Sequence, residues 1–298
     1  MHVAFHSGFV TLVGRPNTGK STLINALLGA RIAAVTPHPQ TTRTHLLGIL
    51  DLPDGQIVFV DTPGVHRGRG YLSRAMLRSV HAGLEGRDLA LLLADVSRPF
   101  GAEDDLALSL LRPPVFLVLN KVDLLPNPEA TLPIIARYRE RFEFQEVIAV
   151  SALRRWNLDA LIKLVLAALP AGPPYFEPGT RTDQPEHFQV SEIIREQAML
   201  LTREEVPHTL AVRIEADDRR PGRNGDLRHL QAALYCERPG QKAILIGQRG
   251  AMIRQIGIEA RQRIEAALGE RIHLELQVLV RPDWRENPKF VAALDFRR

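Results

Sequence analysis

Residues Gly14-Arg15-Pro16-Asn17-Thr18-Gly19-Lys20-Ser21 carry the Gly-x4-Gly-Lys-Ser spacing of a loop built to hold phosphates. Glycines let the backbone curl without Cβ clashes, so successive N–H groups converge on an anion at the positive end of the following helix. Gly14 to Thr22 are therefore candidate phosphate contacts, with Lys20 reaching the β- and γ-phosphates of a nucleotide and Ser21 ligating Mg²⁺. The competing reading is an ordinary glycine-rich turn. The flanks argue against it: residues 8–13 read as an apolar strand, and residues 22–28 as a helix ending at Gly29.

Four later segments separate a GTPase from a generic P-loop ATPase. Asp61-Thr62-Pro63-Gly64 follows an apolar strand over 57–60, which puts a carboxylate where it can hold the Mg²⁺ shell and the Gly64 N–H near a γ-phosphate. Asn120-Lys121-Val122-Asp123 follows a second strand over 115–119. The Asp123 carboxylate matches the N1–H and exocyclic amine of guanine, whereas a buried carboxylate facing adenine would be left unpaired. Ser151-Ala152-Leu153 follows a strand over 147–150 and offers a backbone N–H to guanine O6, although Ser-Ala alone is equally a helix cap. Between the loop and Asp61 lies Pro39-Gln40-Thr41-Thr42-Arg43, a polar segment in which a threonine, Thr42 ahead of Thr41, completes the Mg²⁺ shell and senses the γ-phosphate. A solvated Thr-rich loop is the alternative. Lys20, Thr42, Asp61 and Gly64 thus form the candidate hydrolytic group, with GTP and GDP as ligands and Mg²⁺ as cofactor.

The elements that must position these residues alternate. Over residues 8–169, short apolar strands and amphipathic helical stretches predict an α/β domain with a doubly wound parallel sheet. Residues 45–50 and 56–60, joined across Asp51-Leu52-Pro53-Asp54-Gly55, predict a hairpin and hence one antiparallel edge strand on a mixed sheet. Prolines at 170, 173, 174, 178 and 185 cannot continue a helix and mark a stiff linker over 171–182. The expected domains are 1–170 and 183–298, in keeping with two cores in a chain of 298 residues. A single cysteine, Cys236, excludes an internal disulfide framework, and no histidine stands at metal-ligand spacing from it, so no structural zinc is expected. Residues 1–7 do not read as a secretory signal, and the longest apolar run, 89–94, is too short to cross a bilayer. The expected setting is the cytoplasm.

The second half carries another signal. Gly247-Gln248-Arg249-Gly250 sits after an apolar stretch and before an apolar-periodic helix. A KH domain uses a Gly-x-x-Gly turn to clamp about four nucleotides. Three features strengthen this short motif: flanking isoleucines, basic residues at its tip, and a predicted order of helix 188–202, strands 209–215 and 227–236, helices 241–246 and 252–268, and strand 272–280. Net charge over 240–298 is +4 against −3 over 171–239, so the basic excess lies with the turn. Arg249, then Lys242 and Arg254, are candidate phosphate contacts, with Ile246, Gly247, Gln248 and Gly250 completing the RNA-binding set. Ile244, Ile246, Ile253 and Ile256 could line a base groove, but their spacing suits core packing better. Residues 217–226, polar and Gly-rich, read as a hairpin loop whose three arginines could touch RNA.

Taken together, these motifs resemble the Era family of bacterial GTPases, and the likeness extends to Arg203-Glu204-Glu205-Val206-Pro207-His208 and Asp283-Trp284-Arg285-Glu286-Asn287-Pro288. The resemblance implies a Ras-like GTPase domain followed by an α+β type II KH domain. It implies binding to single-stranded RNA near the 3′ end of 16S ribosomal RNA, and a role in maturing the small (30S) subunit. It also implies loose peripheral association with the inner membrane, for which the sequence offers no anchor; no stable protein partner is expected, and the chain is expected to be a monomer.

Val65 stands where Ras-type enzymes carry the glutamine that orients water, and valine can neither donate nor accept a hydrogen bond. Slow intrinsic turnover follows, raised when RNA or the subunit orders residues 65–70. Thr18 replaces the family's common valine, a change in volume expected to be neutral. Other readings are a tRNA-modification GTPase, which would need large helical insertions, and a nucleotide-gated switch whose second domain recognises polypeptide rather than RNA.

Overall fold

The computed structural model of the chain describes residues 4–222 and 225–294; the rest of the amino-terminal stretch (1–3), Arg223 and Asn224 of the polar loop, and 295–298 of the second domain lie outside the described residues. The chain divides into two compact units. One gathers Met1–Val35, Thr42–Arg69 and Ser73–Asp183; the other gathers Thr36–Thr41, Gly70–Leu72 and Gln184–Arg298.

The first unit is built on strands β1 (His6–Val13), β2 (Leu46–Leu52), β3 (Gly55–Asp61), β4 (Leu89–Asp95), β5 (Val115–Asn120) and β6 (Glu146–Val150). They form one sheet in the order β2-β3-β1-β4-β5-β6, parallel except for β2, which pairs antiparallel with β3 at the edge as the hairpin signal required. Helices α1 (Lys20–Leu28), α2 (Tyr71–Leu84), α3 (Ala102–Ser109), α4 (Leu132–Arg139) and α5 (Leu158–Ala168) cover both faces. Strand periodicity divides the two cores. Leu89, Leu91 and Leu93 enter the core with α1 and α5, while Ala90, Leu92 and Ala94 enter the core with α2, α3 and α4. The continuous apolar runs seen in sequence are strands buried on both sides.

Residues 171–182, expected as a linker, lie along the hairpin of the first unit. The Ile49 N–H donates to the Arg181 carbonyl at 2.9 Å, the Gly179 N–H to Asp51 at 2.8 Å, and the Gln56 amide to the Phe176 carbonyl at 2.9 Å. The Ile49 N–H on the β2 edge is thereby satisfied rather than left to another chain.

The second unit holds helices α6 (Glu186–Leu201), α7 (Val206–Thr209), α8 (Pro239–Ile246), α9 (Ala251–Leu268) and α10 (Pro288–Ala293), and strands β7 (Ala211–Gly222), β8 (Gly225–Cys236) and β9 (Ile272–Val280). Their order, α6-β7-β8-α8-α9-β9, is the predicted one. The sheet runs β7-β8-β9, antiparallel then parallel. Ile194, Leu234, Ile256, Ile264 and Val278 share its core with α6 and α9 on one side. Trp284 is fully buried and donates its indole N–H to the Thr209 carbonyl at 2.8 Å, which ties the carboxyl-terminal family stretch to the unit.

The structure corrects the polar hairpin. Residues 217–222 and 225–226 continue β7 and β8, so strand replaces the expected long loop. Arg219 pairs with Glu270 at 2.9 Å and Arg220 with Asp218 at 2.8 Å. Buried Arg228 draws together Asp217, Glu186 and Glu270. Two of the three arginines proposed for RNA are thus occupied by carboxylates, and Arg223 is outside the described residues.

Candidate nucleotide and nucleic-acid sites

The loop 14–21 links β1 to α1 at the carboxyl ends of the strands. Its glycines are forced by neighbours: a Cβ on Gly14 would lie 2.6 Å from the Leu93 carbonyl oxygen, and one on Gly19, at φ 93°, would lie 2.4 Å from Asn120 Nδ2. α1 begins with no capping side chain and no acidic residue in its first turn, so no carboxylate of the helix itself opposes an anion at its positive end. Lys20 is buried and donates to the carbonyls of Gly14 and Arg15 at 3.1 and 3.2 Å. Burial pulls its pKa down to about 8, against the opposing pull of Asp61.

Three oxygens meet beside it. Ser21 Oγ donates to Asp61 Oδ2 at 2.7 Å and lies 2.9 Å from Thr42 Oγ1, which is itself 3.4 Å from Asp61 Oδ2. Thr41 is directed elsewhere, its hydroxyl 2.7 Å from that of Thr36 and donating to the His38 carbonyl at 2.9 Å. Asp61 is fully buried, and its Oδ1 has no hydrogen-bond partner among the described residues. Burial raises its pKa, opposed by Lys20, Ser21 and Thr42. A buried carboxylate oxygen without a partner next to two hydroxyls is a donor set that suits a hard divalent cation.

The segment after Asp61 is clamped to the loop by backbone. The Val65 N–H donates to the Gly14 carbonyl at 3.0 Å, and a Cβ on Gly64 would lie 2.7 Å from Pro16 Cα. Val65 is buried in the core with Val13 and Val80, which accounts for an apolar residue at that position.

Asn120 joins three motifs, donating to the Thr18 carbonyl at 2.8 Å and accepting from the Ala152 N–H at 3.0 Å. Lys121 donates to the Asn17 carbonyl at 2.8 Å and pairs with Asp95 at 2.7 Å. Asp123 accepts from the Ser151 hydroxyl at 2.5 Å. Asp123 is otherwise exposed. The Ser151 N–H is also committed, to the Trp156 carbonyl at 3.2 Å. Leu153 is 74% exposed, and its N–H is the amide of the three that meets no acceptor among the described residues.

Two loop side chains find partners within the fold. The Arg15 guanidinium turns from the loop into a buried pair with Asp104 at 3.0 Å, where Asp104 also accepts from the Tyr138 hydroxyl at 2.9 Å, so only Arg15 backbone remains at the phosphate cradle. Thr18 is buried, and its hydroxyl donates to the Arg15 carbonyl at 3.1 Å, a bond valine could not make. Sequence reasoning missed the anchors Asp95 and Asp104. Burial works to raise the Asp95 pKa, but hydrogen bonds from Lys121 and Ser97 overcome it and hold the carboxyl below its usual range. A carboxylate ending the apolar run 89–94 was the available signal.

In the second unit, Gly247 at φ 71° cannot be replaced without a clash, since a Cβ would lie 2.6 Å from Met252 Cβ. Gly250 at φ 79° has open space around it and is required by backbone conformation alone. Arg249 also adopts a left-handed φ of 52°, and it and Gln248 point from an exposed tip. Lys242 is half-buried on α8. Beside the turn, α9 and β9 line an open cavity of about 330 Å³ with Ile253, Arg254, Gly257, Ile258, Leu274 and Leu276 among its walls. The four isoleucines separate: Ile253 lines the cavity, Ile256 is core, Ile246 packs on the core, and Ile244 is 46% exposed. Ile258, Leu274 and Leu276 were missed because β9 approaches α9 only in the folded sheet.

A strand-loop-helix phosphate cradle, a guanine-type Asn-Lys-x-Asp element and a separate Gly-x-x-Gly unit define a P-loop GTPase coupled to a KH-type module. Residues 9–121 match the family described as 50S ribosome-binding GTPase, and residues 205–285 match the KH domain family. The chain is 43% identical to GTPase Era of Heliobacterium modesticaldum, covering 97% of each, and 42% identical to GTPase Era of Geobacter metallireducens, covering 98% of each. It superposes with TM-score 0.93 on Era crystallised with MgGDPNP and nucleotides 1506–1542 of 16S ribosomal RNA, at 36% identity over 97% of this chain and 98% of that one. A variant of Aquifex aeolicus Era bound to GDP and AlF4⁻ gives 0.91 at the same identity, over 97% and 99%. The chain belongs to the Era family of GTPases.

Proposed function

We propose that this chain binds GTP with Mg²⁺, hydrolyses it slowly, and uses the nucleotide to control binding to the 3′ end region of 16S ribosomal RNA during maturation of the small subunit. The observation that carries the reading is the convergence of Ser21, Thr42 and the partnerless buried oxygen of Asp61 beside Lys20. Relatives solved with MgGDPNP, GDP and 16S RNA support it.

Ser21, Thr42 and Asp61 would hold Mg²⁺, which when bound neutralises charge on the phosphate oxygens. The amides of Gly14 to Thr22 cradle the phosphates, and Lys20 meets the charge that builds toward the leaving oxygen. Gly64 offers its N–H to the γ-phosphate. Asn120 braces the loop, Lys121 covers the base, and Asp123 reads its N1–H and amine, with Ser151, Ala152 and Leu153 closing the pocket around O6. Because Val65 is in the core, a backbone carbonyl or a bridging water orients the nucleophile, which supports slow turnover until RNA or the subunit orders residues 65–70.

Gly247 to Gly250 present backbone to an RNA strand, with Lys242, Arg249 and Arg254 meeting phosphates and Ile246 supporting the turn. The working parts we assign are 1–170 for the GTPase domain, 171–182 for the linker and 183–298 for the RNA-binding domain. The setting we assign is the cytoplasm, as a monomer with weak peripheral contact at the inner membrane. Filter binding of a 16S 3′-end oligonucleotide to the full chain tests the coupling: GTP should give tighter binding than GDP, and equal affinity with both would overturn it.

A further inference from the structure

On the second unit, parallel pairing of β8 with β9 sets His229 beside His273 and Gln231 beside Glu275. Residues two apart on a strand share a face, so all four side chains stand together. The imidazole rings of His229 and His273 are 4.7 Å apart, and His273 Nε2 is 3.4 Å from Glu275 Oε1. One donor atom from each of His229, His273 and Glu275 falls within 4.8 Å of the other two. His229 Nδ1 is sealed from solvent and has no hydrogen-bond partner among the described residues. The other Glu275 oxygen accepts from Gln231 Nε2 at 2.9 Å, the kind of outer bond that holds a ligating carboxylate in place.

We propose that His229, His273 and Glu275 form a binding site for a divalent transition ion of the zinc class. Two imidazoles and a carboxylate are a donor set for Zn²⁺ and a poor one for Mg²⁺, which prefers oxygen. Zinc–ligand distances of about 2.0–2.2 Å require donors to close to roughly 3.3 Å, a matter of small side-chain rotations from the present spacing. A buried imidazole nitrogen left without a partner gains one, and the remaining coordination position is open to water. The ion would tie β8 to β9 next to the cavity that His273 helps to line.

The test uses the full chain saturated with Mg²⁺ and GDP, so that the phosphate loop does not compete for the added ion. Calorimetric titration with Zn²⁺ should show one saturable site per chain, and His229→Gln and His273→Gln should each weaken it by at least about tenfold. Zinc should also raise the Tm of the parent chain by several degrees and leave that of the double variant unchanged. Zinc-edge absorption on the parent chain should report two imidazoles and oxygen, a reading that does not depend on any variant folding. No saturable binding, equal binding by the double variant, or sulfur in the zinc shell from Cys236 would each overturn the proposal.

Discussion

The two glycine-bearing turns of this chain reach their shapes by opposite routes. In the turn over 14–21, Arg15, Thr18 and Lys20 are buried, and Gly14 and Gly19 are pressed against Leu93 and Asn120 from strands far along the chain. In the turn over 247–250, Gln248 and Arg249 are exposed, and Gly250 touches nothing a Cβ would meet. A site whose donors are buried by distant strands is preorganised for one ligand geometry, and a small displacement is costly. A site made of local backbone shape needs its two glycines but tolerates change in the exposed side chains between them. Its contacts are individually weak and depend on salt.

That contrast yields a graded set of expectations. Lys20→Ala should have the largest effect, lowering GTP affinity by about a hundredfold or more, since it removes the buried amine of the loop; normal affinity by fluorescent-nucleotide titration would remove the proposed phosphate role. Asp123→Asn should move preference from guanine toward xanthine by on the order of a hundredfold, because an amide donates where the carboxylate accepts. Competition with xanthosine nucleotides measures it, and unchanged selectivity would reject the base reader. Gly247→Asp/Gly250→Asp should lower RNA affinity by more than about tenfold while GTPase activity persists, and retained RNA binding would show that the strand binds elsewhere.

The buried lysine makes a smaller effect visible through pH. Its folded pKa of about 8 lies below the 10.5 of free lysine, so between those values the unfolded chain holds the proton and the folded chain does not. Its contribution to stability therefore rises with pH through that window in the nucleotide-free chain. GTP needs the ammonium, so binding above pH 8 should take up a proton and weaken by up to about tenfold per pH unit. Calorimetry at pH 9 in buffers of differing ionisation enthalpy reads that uptake; no uptake would show Lys20 still charged before GTP arrives. Smallest of all, Arg249→Ala should weaken RNA binding by about threefold and lower the salt slope by about 0.7, as one phosphate contact on a single strand does.

Much of this was legible in the residues themselves. Apolar runs ahead of Gly14, Asp61, Asn120 and Ser151 located strand ends, and the helix and strand order of the second half was readable around Gly247 and Gly250, because spacing and turn chemistry are local. The extended β7-β8 hairpin was not legible: Asp217, Asp218, Arg219 and Arg220 look like a solvated loop, and the distant partners His187, Arg228 and Glu270 reach Asp217 and Arg219 once the unit is folded. Exposure of Asp123 and the inward turn of Arg15 were hidden for the same reason.

Residue order alone determined that a Gly-x4-Gly-Lys-Ser loop, an Asp-Thr-Pro-Gly segment, an Asn-Lys-x-Asp element and a Gly-x-x-Gly turn occur in one chain, since each depends on a few neighbouring residues. Folding decided which threonine meets Ser21, that Asp104 and Tyr138 hold Arg15, that Asp95 holds Lys121, and that His229 stands beside His273. These are contacts between residues 21 to 89 positions apart or between adjacent strands, and only strand order and register bring such groups together.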